Sequence, residues 1–202
     1  KLVALQADEV AMQVRLLKPF RREIQESLWR IAADKKNLQP SRMALYALAT
    51  LDPESPKWGR NLADVAAGLL DSNDVSSVLE MVQPLRDELA AELKKQFADE
   101  HLGAPAAKVL AIMFEDRPEE LYGFAKQATA TQLHSLITTM QLQMPHAALV
   151  KDLAIADLAD VRAGQKVPQG DLMQKRNAFV VLYGVAPEAV DWGLLASGPD
   201  NT

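Results

Sequence analysis

The prolines of this 202-residue chain fall at repeated intervals. Pro19 and Pro40 lie 21 residues apart, as do Pro84 and Pro105, and Pro40 to Pro53 spans 13, as does Pro105 to Pro118. Sliding the chain by 65 lays Pro19-Phe20-Arg21-Arg22-Glu23-Ile24 on Pro84-Leu85-Arg86-Asp87-Glu88-Leu89. The same shift superposes Leu28 on Leu93, Ala33-Asp34 on Ala98-Asp99, and Pro53-Glu54 on Pro118-Glu119. Upstream it brings Val10, Val14, Leu16 and Leu17 onto Val75, Leu79, Met81 and Val82. A third copy follows: Leu133–Leu142 matches Val75–Pro84 at a shift of 58, Asn177–Tyr183 corresponds to Met43–Ala49, and Pro187 to Pro53. Punctuation and apolar stripes that stay in register over three copies point to a repeat architecture.

Composition decides what the repeated unit is made of. Ala (31) and Leu (29) supply 60 positions and Val (15) and Ile (5) only 20, an excess of helix formers over β-branched residues that predicts an all-α chain. Helices are expected at 8–17, 20–36, 41–51, 61–70, 74–82, 85–101, 106–115, 119–128, 132–142, 146–161, 172–183 and 188–196. Phe20, Ile24, Leu28 and Ile31 stripe one of them, and Leu85, Leu89, Leu93 and Phe97 another. Prolines sit at or just before first turns, where the missing N–H has no helical acceptor to lose. The expected fold is an α-solenoid of HEAT/armadillo-like hairpins, about 12 helices in three units (8–72, 73–130 and 131–197) forming one array over 1–202. The breaker-rich segment Arg162–Asp171 reads as an exposed insertion. Both ends read as cut, so the chain is expected to be an excised piece of a longer one.

Several function classes lose their basis at this stage. The chain has no cysteine, hence no disulfide, iron–sulfur cluster or thiol nucleophile. A formal charge of −5 argues against a dedicated nucleic-acid binder. The uncharged window Gln127–Val150 contains His134, Pro145, His146 and four glutamines, and its Leu133, Leu136, Ile137 and Met140 make one stripe of a water-facing helix, so no membrane span is expected.

The segment Pro40-Ser41-Arg42-Met43-Ala44-Leu45-Tyr46-Ala47-Leu48-Ala49-Thr50-Leu51-Asp52-Pro53 resembles the arginine- and alanine-rich helix and Asp-Pro exit of certain HEAT-like repeats. So does Lys175-Arg176-Asn177-Ala178-Phe179-Val180-Val181-Leu182-Tyr183-Gly184, followed by Val190-Asp191-Trp192-Gly193-Leu194-Leu195 and Ser197-Gly198-Pro199-Asp200. The combination is similar to the helical-repeat region of large bacterial Ser/Thr protein kinases that also carry a formylglycine-generating-enzyme-like (sulfatase-modifying-factor-like) domain. The resemblance implies a structural region that links or flanks catalytic domains, and it carries no catalytic residue with it. The Arg162–Asp171 loop and Gly193, where that family often has a second proline, depart from the pattern.

Ala186-Pro187-Glu188 and Asp191-Trp192-Gly193 echo a kinase segment, but no Gly-rich loop, His-Arg-Asp or Asp-Phe-Gly precedes them. His101, His134 and His146 share no i, i+4 spacing, so no metal or cofactor is expected. Arg15, Lys18 and Arg22 fall at i, i+3 and i+7, with Arg21, Arg30, Lys35 and Lys36 nearby, a ridge that suits an anion or a phosphopeptide. Glu23, Glu26 and Asp34 interleave with it, which equally describes an ordinary solvated face. Trp29 stands beside the Phe20–Ile31 stripe opposite a polar Lys94 in the second copy and is expected at the surface; Trp192, striped with Val185, Ala189 and Leu195, is expected in the core.

The expected function is therefore a non-catalytic helical-repeat scaffold for protein or interdomain contacts in a kinase-related multidomain protein. Arg15, Lys18, Arg22 and Trp29 are the candidate partner-binding residues. Two alternatives stand beside it, an enzyme domain using His134 or His146 with nearby acids, and a phosphoprotein-binding module using the Arg15–Arg22 ridge. A cytoplasmic segment of a parent compatible with membrane tethering is expected.

Overall fold

The computed structural model describes residues 13–143 and 147–192, which form helices and turns with no strand among them. Ten α-helices of eight residues or more are present among the described residues, against the twelve expected. The shortfall lies at the two ends. Of the expected helix 8–17, residues 13–17 are helical and the rest lies outside the described residues. The expected helix 188–196 is corrected: Pro187–Ala189 is a 3-10 turn, Val190 is extended at φ −75°, ψ 122°, and 193–196 lie outside the described residues.

The chain divides into two compact units, Lys1–Leu102 and Gly103–Thr202. The first holds α1 (Arg21–Ala32), α2 (Leu38–Leu51), α3 (Leu62–Leu70), α4 (Val75–Val82) and α5 (Arg86–Phe97). The second holds α6 (Gly103–Met113), α7 (Pro118–Gln127), α8 (Ala130–Gln143), α9 (Ala147–Asp157), the single turn α10 (Ala159–Arg162) and α11 (Leu172–Val185).

Helix boundaries differ from expectation for local reasons. Helices α1 and α5 stop about a turn early because an aspartate just beyond each captures the following backbone. The Asp34 carboxylate accepts the N–H of Lys36 at 3.0 Å and the side-chain amide of Asn37 at 2.7 Å. Asp99 accepts the N–H groups of His101 (2.8 Å) and Leu102 (3.0 Å). Side chains that bond the backbone locally compete with the helical ladder. Conversely, α2 and α6 begin three residues before expectation, with Pro40 and Pro105 at their third positions, where the first-turn N–H groups have no intrahelical acceptor. The expected helix 146–161 divides at Leu158 (φ −96°, ψ 0°) into α9 and α10.

The breaks themselves recur. Ala33 after α1 and Ala98 after α5 share φ −76°, ψ −11°. A proline-containing 3-10 turn precedes each of these helices, and the joining residues Phe20 (φ −99°, ψ 18°) and Leu85 (φ −108°, ψ 16°) match closely. Helices α2 and α11, which carry the matched segments Met43–Ala49 and Asn177–Tyr183, end on Asp52 (φ −147°, ψ 52°) and Ala186 (φ −152°, ψ 69°). Packing partners recur within each unit as well. In the first, α1 packs on α2, α2 on α4 and α3 on α5; in the second, α9 packs on α11, α6 on α8 and α7 on α9.

Leucines fill the first core, with Leu45, Leu48, Leu69, Leu89 and Leu93 fully buried. Leu110, Phe114, Leu121, Leu136 and Leu182 do the same in the second. Each such side chain stabilises by roughly 1.5–3 kcal/mol relative to exposure. Small residues let the helices close: a Cβ on Gly68 of α3 would sit 2.2 Å from the Tyr46 hydroxyl of α2, and one on Gly184 of α11 would sit 2.6 Å from Ile137 of α8. Burial pushes the Tyr46 hydroxyl up to about 12.

Candidate functional site

The Asp52-Pro53 exit of α2 organises a tryptophan corner in the first unit. Pro56 starts a 3-10 turn, Pro56–Arg60, after the extended Ser55 (φ −65°, ψ 133°) that a following proline favours. The turn brings Trp58 against Trp29 of α1, ring centroids 5.0 Å apart and 65° between planes, an edge-to-face pair. Both indoles close on one residue. Trp29 Nε1 donates to the Asp52 carboxylate and Trp58 Nε1 to the Asp52 carbonyl, each at 2.8 Å. Gln25 Nε2 donates to the Leu51 carbonyl at 3.0 Å, tying α1 to the same exit.

Above this corner opens a cavity of about 410 Å³ lined by Glu26, Trp29, Arg30, Ala33, Lys35, Lys57, Arg60 and Asn61. Lys57 Nζ lies 5.5 Å from the centre of the Trp29 ring and 3.4 Å from Glu26, a cation placed on a π face. Lys35 pairs with Asp64. Asn61 is held by its side-chain amide donating to the Lys57 carbonyl at 2.7 Å. Arg30 and Arg60 have no carboxylate partner among the described residues.

The sequence-predicted residues divide. Trp29 is 7% exposed, which corrects its assignment to the surface: its indole N–H needs an acceptor, and Asp52 provides one inside the corner. Trp192 is corrected in the other direction, at 56% exposure, packing edge-on to Phe179 and Tyr183 with centroids 6.2 and 5.6 Å away. Its proposed stripe partner Leu195 lies outside the described residues.

Arg15, Lys18 and Arg22 are all exposed, but they do not share one α-helical ridge. The 3-10 turn Lys18–Phe20 and the break at Phe20 separate Arg15 from Arg22. Arg15 pairs with Glu80 at 3.0 Å and lines a small cavity of about 180 Å³ with Thr50 and Met81. The cations that share a cavity with Trp29 are Arg30, Lys35, Lys57 and Arg60. Arg30 and Lys35 stood near the ridge in the sequence. Lys57 and Arg60 were missed, and the signal for them was the Asp-Pro exit followed by a second tryptophan flanked by cations.

His101 and His134 are exposed, His146 lies outside the described residues, and no group of three His, Asp or Glu side chains among the described residues could hold a metal. The second unit's polar cluster is of a different kind. Tyr122 donates to the Asp157 carboxylate at 2.8 Å, Lys126 lies 3.0 Å from the same group, and Lys175 reaches Asp160 at 2.9 Å. Burial first, then the Asp157 contact, pushes the Tyr122 hydroxyl up, while Lys175 holds the Asp160 carboxyl below the usual range. Asn177 is wholly buried and donates to the carbonyls of Ala125, Lys126 and Ala128, closing the end of α7. These groups satisfy one another and hold helices together. No helix among the described residues is long and apolar enough to cross a membrane. Comparison of the chain with protein-family models, curated proteins and solved structures finds no match.

Proposed function

We propose that the chain is a non-catalytic helical-repeat scaffold, an α-solenoid of HEAT/armadillo-like hairpins in three units. In this reading it mediates protein–protein or interdomain contacts within a Ser/Thr-kinase-related multidomain protein. One observation carries it: helix breaks of nearly equal φ and ψ, and the same order of helix pairings, recur at the spacing of the sequence repeat. Stacked units of this kind bury apolar faces against neighbours and leave extended polar surfaces for partners. The kinase connection rests on the resemblance of Pro40–Pro53 and Lys175–Gly184 alone.

The test is a binding experiment with the whole segment as bait and the catalytic domains of its parent chain as prey. A saturable complex that forms without turnover of any substrate by the segment supports the scaffold. Turnover by the isolated segment that disappears in a His134→Ala variant overturns it in favour of an enzyme.

A further inference from the structure

The cavity over Trp29 gathers positive charge around a concave, tryptophan-walled surface in an acidic chain. Four cations line it, against Glu26 on its wall and the Asp64 that Lys35 reaches, a surplus of two positive charges. The surplus is not a general property of the repeat. The second copy has no counterpart of the turn that carries Lys57 and Arg60: Pro118 opens α7 directly, where Pro53 leads first into the 3-10 turn Pro56–Arg60. There the cations Lys126 and Lys175 are matched by Asp157 and Asp160. Arg30, in the last turn of α1, and Arg60, at the end of the 3-10 turn Pro56–Arg60, meet no carboxylate among the described residues.

We infer that this cavity binds a phosphomonoester, with Arg30 and Arg60 grasping the phosphoryl oxygens, Lys57 adding charge and Trp29 flanking the carrier. Planar guanidinium forks suit a tetrahedral oxyanion bidentately, and a monoester carries about −1.5 to −2 at neutral pH, which equals the surplus. A volume of about 410 Å³ falls within the ordinary range of small-molecule sites. It leaves room beside the phosphoryl group for the carrier, a phosphorylated side chain or a small organic phosphate. Trp29, locked to Asp52 and packed on Trp58, gives the cavity a rigid wall, so little ordering is needed on binding. The inference goes beyond the scaffold reading and does not depend on it.

The experiment is a titration of the whole chain followed by 15N NMR at the Trp29 indole and the Arg30 and Arg60 side chains, at constant ionic strength. The probes are inorganic phosphate, a hexose phosphate, a phosphoserine peptide and its unmodified counterpart. Saturable shifts at Trp29 are expected with the phosphorylated probes and none with the unmodified peptide. Binding should weaken at least about tenfold in R30E and in R60E, less in R60K, and change less than about twofold in R22E, outside the cavity. Preference for the peptide identifies a phosphoprotein source, and equal or better binding of the hexose phosphate a small-molecule one; both support the site. Absence of a saturable shift with every phosphorylated probe overturns it. So does equal weakening by R22E and R60E, which marks a diffuse charge effect. Both arginines are exposed, and unchanged Trp29 and Trp58 indole signals in the unliganded variants establish that the corner is intact.

Discussion

Helices α2 and α11 carry the matched sequence segments Met43–Ala49 and Asn177–Tyr183, one in each compact unit, and their surroundings differ. Along α2 the stripe Leu45, Tyr46 and Ala49 is buried, and Trp58 beyond the exit is 5% exposed. Along α11 the same positions are Phe179, Val180 and Tyr183, and Trp192 stands where Trp58 does. Here Val180 is 37%, Tyr183 52% and Trp192 56% exposed. The other face behaves alike in both: Ala44, Leu48, Ala178 and Leu182 are all buried. Helix α2 packs back on α1, and α11 on α7, α8 and α9. In the first unit α3 and α4, which follow α2, pack on it as well, with Gly68 of α3 against Tyr46. Burial at these matched positions is a property of the neighbours as much as of the residue.

Four predictions would break or sharpen that comparison. The largest effect belongs to the face both helices bury: Leu48→Ala and Leu182→Ala should each destabilise by ~2–5 kcal/mol in urea melts. A large loss in one and almost none in the other would separate the two helices. Next is Gly68→Ala, whose Cβ meets the Tyr46 hydroxyl and should cost ~1–3 kcal/mol. Tyr46→Phe in the same chain should recover part of that loss, because it removes the atom in conflict. Additive costs would mean that α3 does not close on α2 as described.

On the open face, Tyr183→Ser should change stability by less than ~0.5 kcal/mol, whereas Ala49→Tyr, its mirror in the closed slot, should cost ~1–3 kcal/mol. Acrylamide quenching gives the parallel readout: single-tryptophan variants should show Trp192 quenched readily and Trp29 and Trp58 protected. The smallest effect is the acid response of the paired turns. In the folded chain Asp34 sits below its ordinary 3.8, chiefly through the Asn37 amide, and Asp99 does so chiefly through the Leu102 N–H. A lowered folded value means that their stabilisation is present above 3.8 and is lost as pH falls through the lowered value. Asp34→Ala and Asp99→Ala should therefore flatten the acid side of the melting-temperature profile to similar extents. A strong effect from only one of them would remove the equivalence of the two turns.

Much of the fold was legible because its signals are local. Helix formers, proline spacing and apolar stripes placed ten helices, mostly to within a turn at each end. The errors arose where a polar side chain intervened: the stripe through Ile31 promised a helix to Lys36, but Asp34 captured the backbone first. The site was far less legible. Trp29 beside Lys94's position looked polar, and only the fold reveals that Asp52 and Trp58, from beyond the next helix, enclose it. The Arg15–Arg22 ridge read helical spacing across Pro19, between the expected helices 8–17 and 20–36, and a 3-10 turn divides it. Cations that meet only in three dimensions, such as Arg30 and Arg60, leave no spacing to read.

The recurrence of one packing unit is tested most directly by long-range NOEs and chemical-shift dihedrals measured on the whole chain. A repeated unit predicts contacts of α3 with α5 matched by those of α7 with α9, and of α1 with α2 matched by those of α9 with α11. It also predicts equal backbone angles at Ala33 and Ala98, and at Asp52 and Ala186. Pairings that follow a different order in the second unit, or unequal angles at these breaks, would contradict it.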